Sequence, residues 1–320
     1  MVVYVLALLL GFTLLVWGAD KFVMGASATA RKLGVPPLVI GLTVVGFATS
    51  APEIFVSVTA AIQGVPGIAI GNAIGSNIAN LGLVLAATAL TRPIPVTSET
   101  IRRETAFLTG MSGLAFALFV NDDLSRADGL ALLTGLGLFL YWTVTLGARV
   151  TGADPLEAEY AAEIPADVAL PKASLWLTVG FIVLLAGANV LVWGGENIAR
   201  ALGVSDLLIG VTIVAIGTSL PELAVGIVSA RKGEYGLALG NVIGSNLFNL
   251  LAVVGLAATI SPMRLDPEVA ELHYSVMMMF TVTVLFLAYN YFGKGISRPA
   301  GALLLGGFFA YHGYLAYSNI

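Results

Sequence analysis

The sequence predicts an all-α polytopic membrane protein, with ten transmembrane helices arranged as two inverted five-helix repeats. Three observations predict it: the composition, the placement of positive charge and an internal repeat. The chain has 320 residues, 58% of them hydrophobic and 11% charged, with a mean hydropathy of +0.94. Soluble domains carry about 25% charged residues. The chain has no cysteine, which excludes disulfides and thiolate metal sites.

Apolar stretches of about 20 residues mark spans. They fall in order at 2–20, 35–62, 67–90, 105–121, 128–148, 174–195, 207–230, 236–260, 272–292 and 300–318. The first lacks a basic leader and a small-residue cleavage site, so it reads as a retained span rather than a signal peptide. Between the fifth and sixth lies "RVTGADPLEAEYAAEIPADVALPK", an acidic stretch with three prolines that reads as a linker. The expected organisation is a first repeat over 1–150, a cytoplasmic linker over 151–173 and a second repeat over 174–320.

Basic residues set the orientation. Lys21, Arg31, Lys32, Arg92, Arg102, Arg103, Arg149, Lys172, Arg231, Lys232, Lys294 and Arg298 fall on one side of the ten-span scheme. Only Arg126, Arg200 and Arg264 fall on the other. Both termini are therefore expected outside and the linker in the cytoplasm. Trp17, Trp142, Trp176 and Trp193 are expected near span ends as interfacial anchors. The expected setting is the plasma (inner) membrane of a prokaryote, with the lipid bilayer as partner, no nucleic acid and a monomer as functional unit.

The second half repeats the first. "GFTLLVWGADKFVMGASATARKLGV" from Gly11 is answered 169 residues on by "GFIVLLAGANVLVWGGENIARALGV" from Gly180. The same spacing joins "GLTVVGFATSAPE" to "GVTIVAIGTSLPE" and "GNAIGSNIAN" to "GNVIGSNLFN". Five spans per half is an odd number, so the halves must cross the membrane in opposite senses. Inverted repeats belong to secondary transporters, with the site near the midplane where the halves meet.

Glu53 is the only charge between Lys32 and Arg92, and its counterpart Glu222 the only one between Asp206 and Arg231. A charged group inside a membrane costs several kcal/mol unless it is paired, neutralised or bound to a cation. No basic residue shares their spans. A protonated glutamate bonded to nearby backbone is the plain alternative; a symmetric pair of unpaired acids favours cation binding. Thr49 stands four residues before Glu53, and Thr218 four before Glu222, which puts each pair on one helix face. Ser50 and Ser219 lie beside them. Pro52 and Pro221 lack an N–H, so the carbonyls of Ala48 and Gly217 lose a helical donor. The alternatives are simple kinks for the prolines and bonds to their own helix for single hydroxyls.

The "GNAIGSNIAN" element places Ser76 and Asn80 four apart, and its copy does the same with Ser245 and Asn249. Asn72, Asn77, Asn241 and Asn246 add amides. Gly71 and Gly75, with Gly240 and Gly244, read as close helix packing. No GK[ST] follows, so a phosphate loop is rejected. Carboxylate, amide, hydroxyl and carbonyl oxygens suit Ca²⁺ and Na⁺, and fit zinc, copper or nickel badly. His273 and His312 read as interfacial, and Asp20, Asn189 and Glu196 as solvated or capping groups. No HExxH, no paired aspartates in spans and no Ser/His pair support an enzyme, and no cofactor is expected.

"GFATSAPE", "AIGTSLPE", "GNAIGSNIAN" and "GNVIGSNLFN" resemble the two alpha-repeats of sodium/calcium exchangers, in the calcium/cation antiporter superfamily. The resemblance covers nearly the whole chain. It implies four ion positions between the halves, with Glu53 and Glu222 as shared carboxylates and Thr49, Ser50, Thr218 and Ser219 as oxygen ligands. Ser76 and Ser245 would hold flanking Na⁺ positions, Asn80 and Asn249 would complete the central position, and the carbonyls of Gly46 and Ala215 would be further ligands. Relatives alternate access by sliding the first and sixth spans. The resemblance implies Na⁺/Ca²⁺ antiport, with Ca²⁺/H⁺ antiport through the same glutamates as the alternative. Proton-coupled relatives place an acid in a GNxxE-type motif, and none occurs here. Two positions depart from the pattern. Ala48 stands where the usual motif has glycine, as at Gly217. Asn249 stands where potassium-dependent relatives have aspartate, which points to K⁺-independent exchange.

Overall fold

A computed structural model describes residues 1–35, 39–40, 46–96, 99–147, 158–159, 161–162, 168–265, 267, 269–288 and 295–318. Val2–Lys32 forms one helix of 31 residues, running well past the predicted end at residue 20. Asp20 and Lys21 do not stop it, because they pair at 2.7 Å and the Lys21 ammonium lies 5.2 Å from the centre of the Trp176 ring. Trp17 sits mid-helix, edge-on to Trp176 at 6.3 Å. At about 1.5 Å per residue the helix exceeds the roughly 30 Å of a hydrocarbon core, so it must tilt or protrude.

This helix packs antiparallel along Leu170–Leu202, its repeat counterpart. The cause is a glycine stripe with a seven-residue spacing on each: Gly11, Gly18 and Gly25 against Gly180, Gly187 and Gly194. A Cβ on Gly18 would stand 2.9 Å from the Leu184 backbone nitrogen, and one on Gly11 would stand 2.7 Å from Leu191 Cβ. Small residues let helices approach closely where burial of apolar surface from water no longer drives them together. The other faces of both helices, with Leu6, Leu9, Leu10, Phe181, Ile182 and Leu185, are exposed, as lipid-facing positions would be.

Among the described residues, six helices are long and apolar enough to cross a membrane: Val2–Lys32, Pro66–Thr91, Arg126–Thr145, Leu170–Leu202, Asp206–Lys232 and Tyr235–Ile260. Gly46–Thr49, Ala51–Ile62, Glu99–Phe119, Ser275–Ala288 and Arg298–Ser318 are helical too. The helix from Leu170 begins inside the 151–173 stretch, most of which lies outside the described residues. The Pro66–Thr91 and Tyr235–Ile260 spans are the most enclosed and form the centre of the core. Both are interrupted by π-helical turns at matching places, Asn80–Val84 and Asn249–Val253. A π-turn inserts one residue into the helical ladder and is frequent at functional sites. Outside the helices, Asp123–Leu124 pairs antiparallel with Met263–Arg264.

The halves meet through glycines. A Cβ on Gly71 would stand 2.5 Å from the Leu207 carbonyl, and one on Gly75 would stand 2.6 Å from that of Val211. The close-packing reading of these two glycines holds. The interfacial reading of His273 does not. It is 2% exposed, and its Nδ1 lies 2.6 Å from the Tyr311 hydroxyl, because the helix from Arg298 packs over it and supplies a polar partner.

Candidate functional site

Each glutamate follows a broken helix. Gly46–Thr49 stops at Ser50, and Ala51–Ile62 starts again immediately. Ala215–Thr218 stops at Ser219, and Leu220–Lys232 resumes. The two breaks have the same shape: φ −84° and ψ 3° at Ser50, φ −84° and ψ 4° at Ser219. Pro52 and Pro221 occupy the start of the second helix, where a missing N–H costs nothing. Glu53 and Glu222 thereby enter the first turn of a helix, whose unpaired N–H groups favour negative charge. That is the physical reason for an acid directly after the proline.

The break changes two expectations. Thr49 and Glu53 do not share one continuous helix face, and neither do Thr218 and Glu222. The threonines reach across to the other half instead. Thr49 Oγ1 lies 3.2 Å from Ser245 Oγ, and Thr218 Oγ1 lies 3.3 Å from Ser76 Oγ. Nor is the Gly217 carbonyl left open, since a backbone N–H at the helix cap reaches it. The Gly46 carbonyl accepts Thr49 Oγ1 at 3.2 Å and the Ser50 N–H at 3.3 Å. The Ala215 carbonyl likewise accepts Thr218 Oγ1 at 3.3 Å and the Ser219 N–H at 3.1 Å.

Both carboxylates are fully enclosed, with 0% exposure. Ser245 donates to Glu222 Oε1 at 3.3 Å, while the hydroxyls of Thr218 and Ser76 flank Glu53. Asn80 donates to Asn246 Oδ1 at 3.0 Å, which turns its own amide oxygen elsewhere. The amide oxygens of Asn80 and Asn249, the hydroxyls of Ser50 and Ser219, both Glu53 oxygens and Glu222 Oε2 have no partner among the described residues. Buried polar atoms are rarely left so. All belong to residues singled out in the sequence, and all are hard oxygen donors.

Sequence reasoning counted the amides one turn before the serines among the candidate oxygens but missed what Asn72 holds together. Asn72 binds the Glu53 carbonyl at 3.2 Å and Ser57 Oγ at 3.0 Å, and accepts from Thr218 at 3.1 Å and Ser76 at 3.4 Å. It ties the first break to the second half. Its signal was present, since Asn72 precedes Ser76 by one helical turn. Phe12 was also missed. Its ring lies against Gly217, where any Cβ would collide with it, so the first helix touches the second break directly.

Two acids enclosed among unpaired hard oxygens, at mirrored helix breaks in a membrane-embedded bundle, define a chain built to handle cations in a membrane. Known proteins that it resembles include transporters of that class, which exchange cations. The family described as sodium/calcium exchanger protein matches residues 3–145 and 172–317, and the chain belongs to it. A putative antiporter CaxA of Alkalimonas amylolytica is 46% identical over 321 residues, covering 100% of both chains. The sodium/calcium exchanger MaX1 of Methanosarcina acetivorans is 33% identical, covering 94% of this chain and 95% of its own. A solved structure of the sodium-calcium exchanger NCX_Mj, soaked with Na⁺ and Sr²⁺, superposes with a TM-score of 0.68 at 34% identity, covering 97% of each chain.

Proposed function

We propose that this antiporter exchanges Na⁺ for Ca²⁺ by alternating access, without K⁺. Ten spans would form two inverted repeats, 1–150 and 174–320, joined by the cytoplasmic linker 151–173, with both termini outside. The antiparallel packing of Val2–Lys32 on its repeat counterpart supports that inversion. The observation that carries the reading is the set of enclosed, unpartnered oxygens around Glu53 and Glu222. Ca²⁺ takes about six to eight oxygens, and this inventory is of that order. Two glutamates balance one Ca²⁺ or two Na⁺, and a third Na⁺ would leave the site positive. Ca²⁺ and Na⁺ therefore compete for the same charge, which is the condition for exchange rather than co-transport.

Thr49, Ser50, Thr218, Ser219, Ser76, Ser245, Asn80 and Asn249 supply neutral oxygens in this reading. The Gly46 and Ala215 carbonyls each hold two donors already, so an ion there displaces the threonine hydroxyl. Asn249, in place of aspartate, removes the third negative charge that would help hold K⁺. Proteoliposomes loaded with Na⁺ and diluted into ⁴⁵Ca²⁺ test the coupling. Uptake should follow the Na⁺ gradient; uptake driven only by a pH gradient would replace Na⁺ by H⁺. Glu53→Gln and Glu222→Gln should each abolish uptake, and retained uptake would overturn the site.

A further inference from the structure

The two halves are not equal at the amide one turn before each serine. Asn72 is saturated, with Ser57 as one partner at 3.0 Å, and Ser57 in turn donates to the Ala69 carbonyl at 3.2 Å. Its counterpart Asn241 is 3% exposed, yet neither its amide nitrogen nor its amide oxygen has a partner among the described residues. The sequence supplies the cause. The position answering Ser57 in the second half is Gly226, which has no hydroxyl to accept from the Asn241 amide nitrogen, while the hydroxyls answering the two donors to the Asn72 oxygen are engaged elsewhere, Ser245 with Glu222 at 3.3 Å and Thr49 with the Gly46 carbonyl at 3.2 Å. The space is filled from the other side by Thr88, whose own counterpart is Ala257. A Cβ on Gly226 would stand 2.6 Å from Thr88 Oγ1, and that hydroxyl is tied to the Val84 carbonyl at 2.7 Å. The halves thus differ at both repeat positions, serine against glycine at 57 and 226 and threonine against alanine at 88 and 257, and the Asn241 amide nitrogen lacks the acceptor that Asn72 has.

Leaving a buried amide without partners costs about 1–3 kcal/mol. Asn241 lies one helical turn from Ser245, roughly 6 Å along the axis. Ser245 in turn contacts Glu222 at 3.3 Å and Thr49 at 3.2 Å. We propose that Asn241 is a specificity-determining ligand on the Glu222 side, adding its amide oxygen to a monovalent cation held with Ser245, Thr49 and Glu222. The charge decides the valence. One carboxylate among neutral oxygens balances Na⁺, whereas a divalent ion there would stay under-neutralised in a low-dielectric interior. On the Glu53 side the equivalent amide oxygen already accepts from Thr218 and Ser76, and Ser57 holds the nitrogen, so the two flanking positions differ in strength. This rests on the reading of Glu53 and Glu222 as cation ligands.

The test compares Na⁺ and Ca²⁺ dependence of ⁴⁵Ca²⁺ transport in proteoliposomes. Asn241→Ala should raise the half-saturating Na⁺ about five- to tenfold, while half-saturating Ca²⁺ shifts by less than about twofold. Gly226→Ser with Thr88→Ala offers the Asn241 amide nitrogen the acceptor hydroxyl that Asn72 has and restrains Asn241 without removing it. It should raise the Na⁺ requirement in the same direction, and it decides the matter alone if Asn241→Ala does not fold. Unchanged Na⁺ dependence, or equal shifts for both ions, would overturn the proposal. Glu222→Gln serves as the control: loss of transport there, with normal Na⁺ dependence in the Asn241 variants, rejects only the role of Asn241. Retained transport in Glu222→Gln rejects the site and this proposal with it.

Discussion

Replacing Gly71 by alanine probes whether the close approach of the halves builds the site. The added Cβ would stand 2.5 Å from the Leu207 carbonyl oxygen, 2.8 Å from the Val211 nitrogen and 3.0 Å from Gly210 Cα. All three are backbone atoms and cannot rotate away. Ordinary contact begins at 3.4 Å, so the helix must retreat by roughly 1 Å from the opposing half. Overpacking of this kind costs about 1–3 kcal/mol. The functional cost should be larger. Asn72 and Ser76 lie on the displaced helix, and their bonds to Thr218 at 3.1 and 3.3 Å would stretch beyond hydrogen-bonding range. Coordination of a hard cation tolerates only a few tenths of an ångström. Gly71→Ala should therefore lower ⁴⁵Ca²⁺ uptake by at least about tenfold, against a modest fall in thermal stability in detergent. Gly137→Ala is the control, since its Cβ would meet nothing within 4 Å. Wild-type uptake and affinity in Gly71→Ala would refute the idea that this contact sets the geometry.

The threonine bridges should be unequal. Thr218→Val removes contacts to Asn72, Ser76 and the Ala215 carbonyl, whereas Thr49→Val removes those to Ser245 and the Gly46 carbonyl. At about 1 kcal/mol per bond, Thr218→Val should lower the melting temperature further, and the reverse order would contradict this network. Asn249→Asp adds a third acid, so ⁴⁵Ca²⁺ transport should become sensitive to K⁺. A variant indifferent to K⁺ would detach Asn249 from ion choice.

Much of the site was legible because its chemistry is costly. Lone acids in apolar spans have few uses, and finding Glu53 and Glu222 at repeat-related places required only counting. The oxygens around them were legible through spacing, but spacing assumes a continuous helix. Ser50 and Ser219 break that assumption, and the threonines consequently point across the interface. The helix that carries the first span runs on past residue 20, through Asp20 and Lys21, which a sequence read in isolation shows as a boundary. In the structure the two pair with each other, and Lys21 lies over Trp176.

The sequence by itself determined membrane residence, the duplicated halves and the identity of the acids. These follow from transfer free energies and from a repeat that needs no coordinates. Tertiary structure alone decided who meets whom. It paired the glycine stripes of Val2–Lys32 and Leu170–Leu202, set Thr49 against Ser245, and placed Phe12 on Gly217. It also showed that a duplicated motif does not make equal neighbours. Asn72 and Asn241 are the same residue in the same motif, but a hydrogen bond needs a partner in space. Glycine stands in place of serine at Gly226, and the Asn241 amide nitrogen lacks the acceptor that Asn72 has.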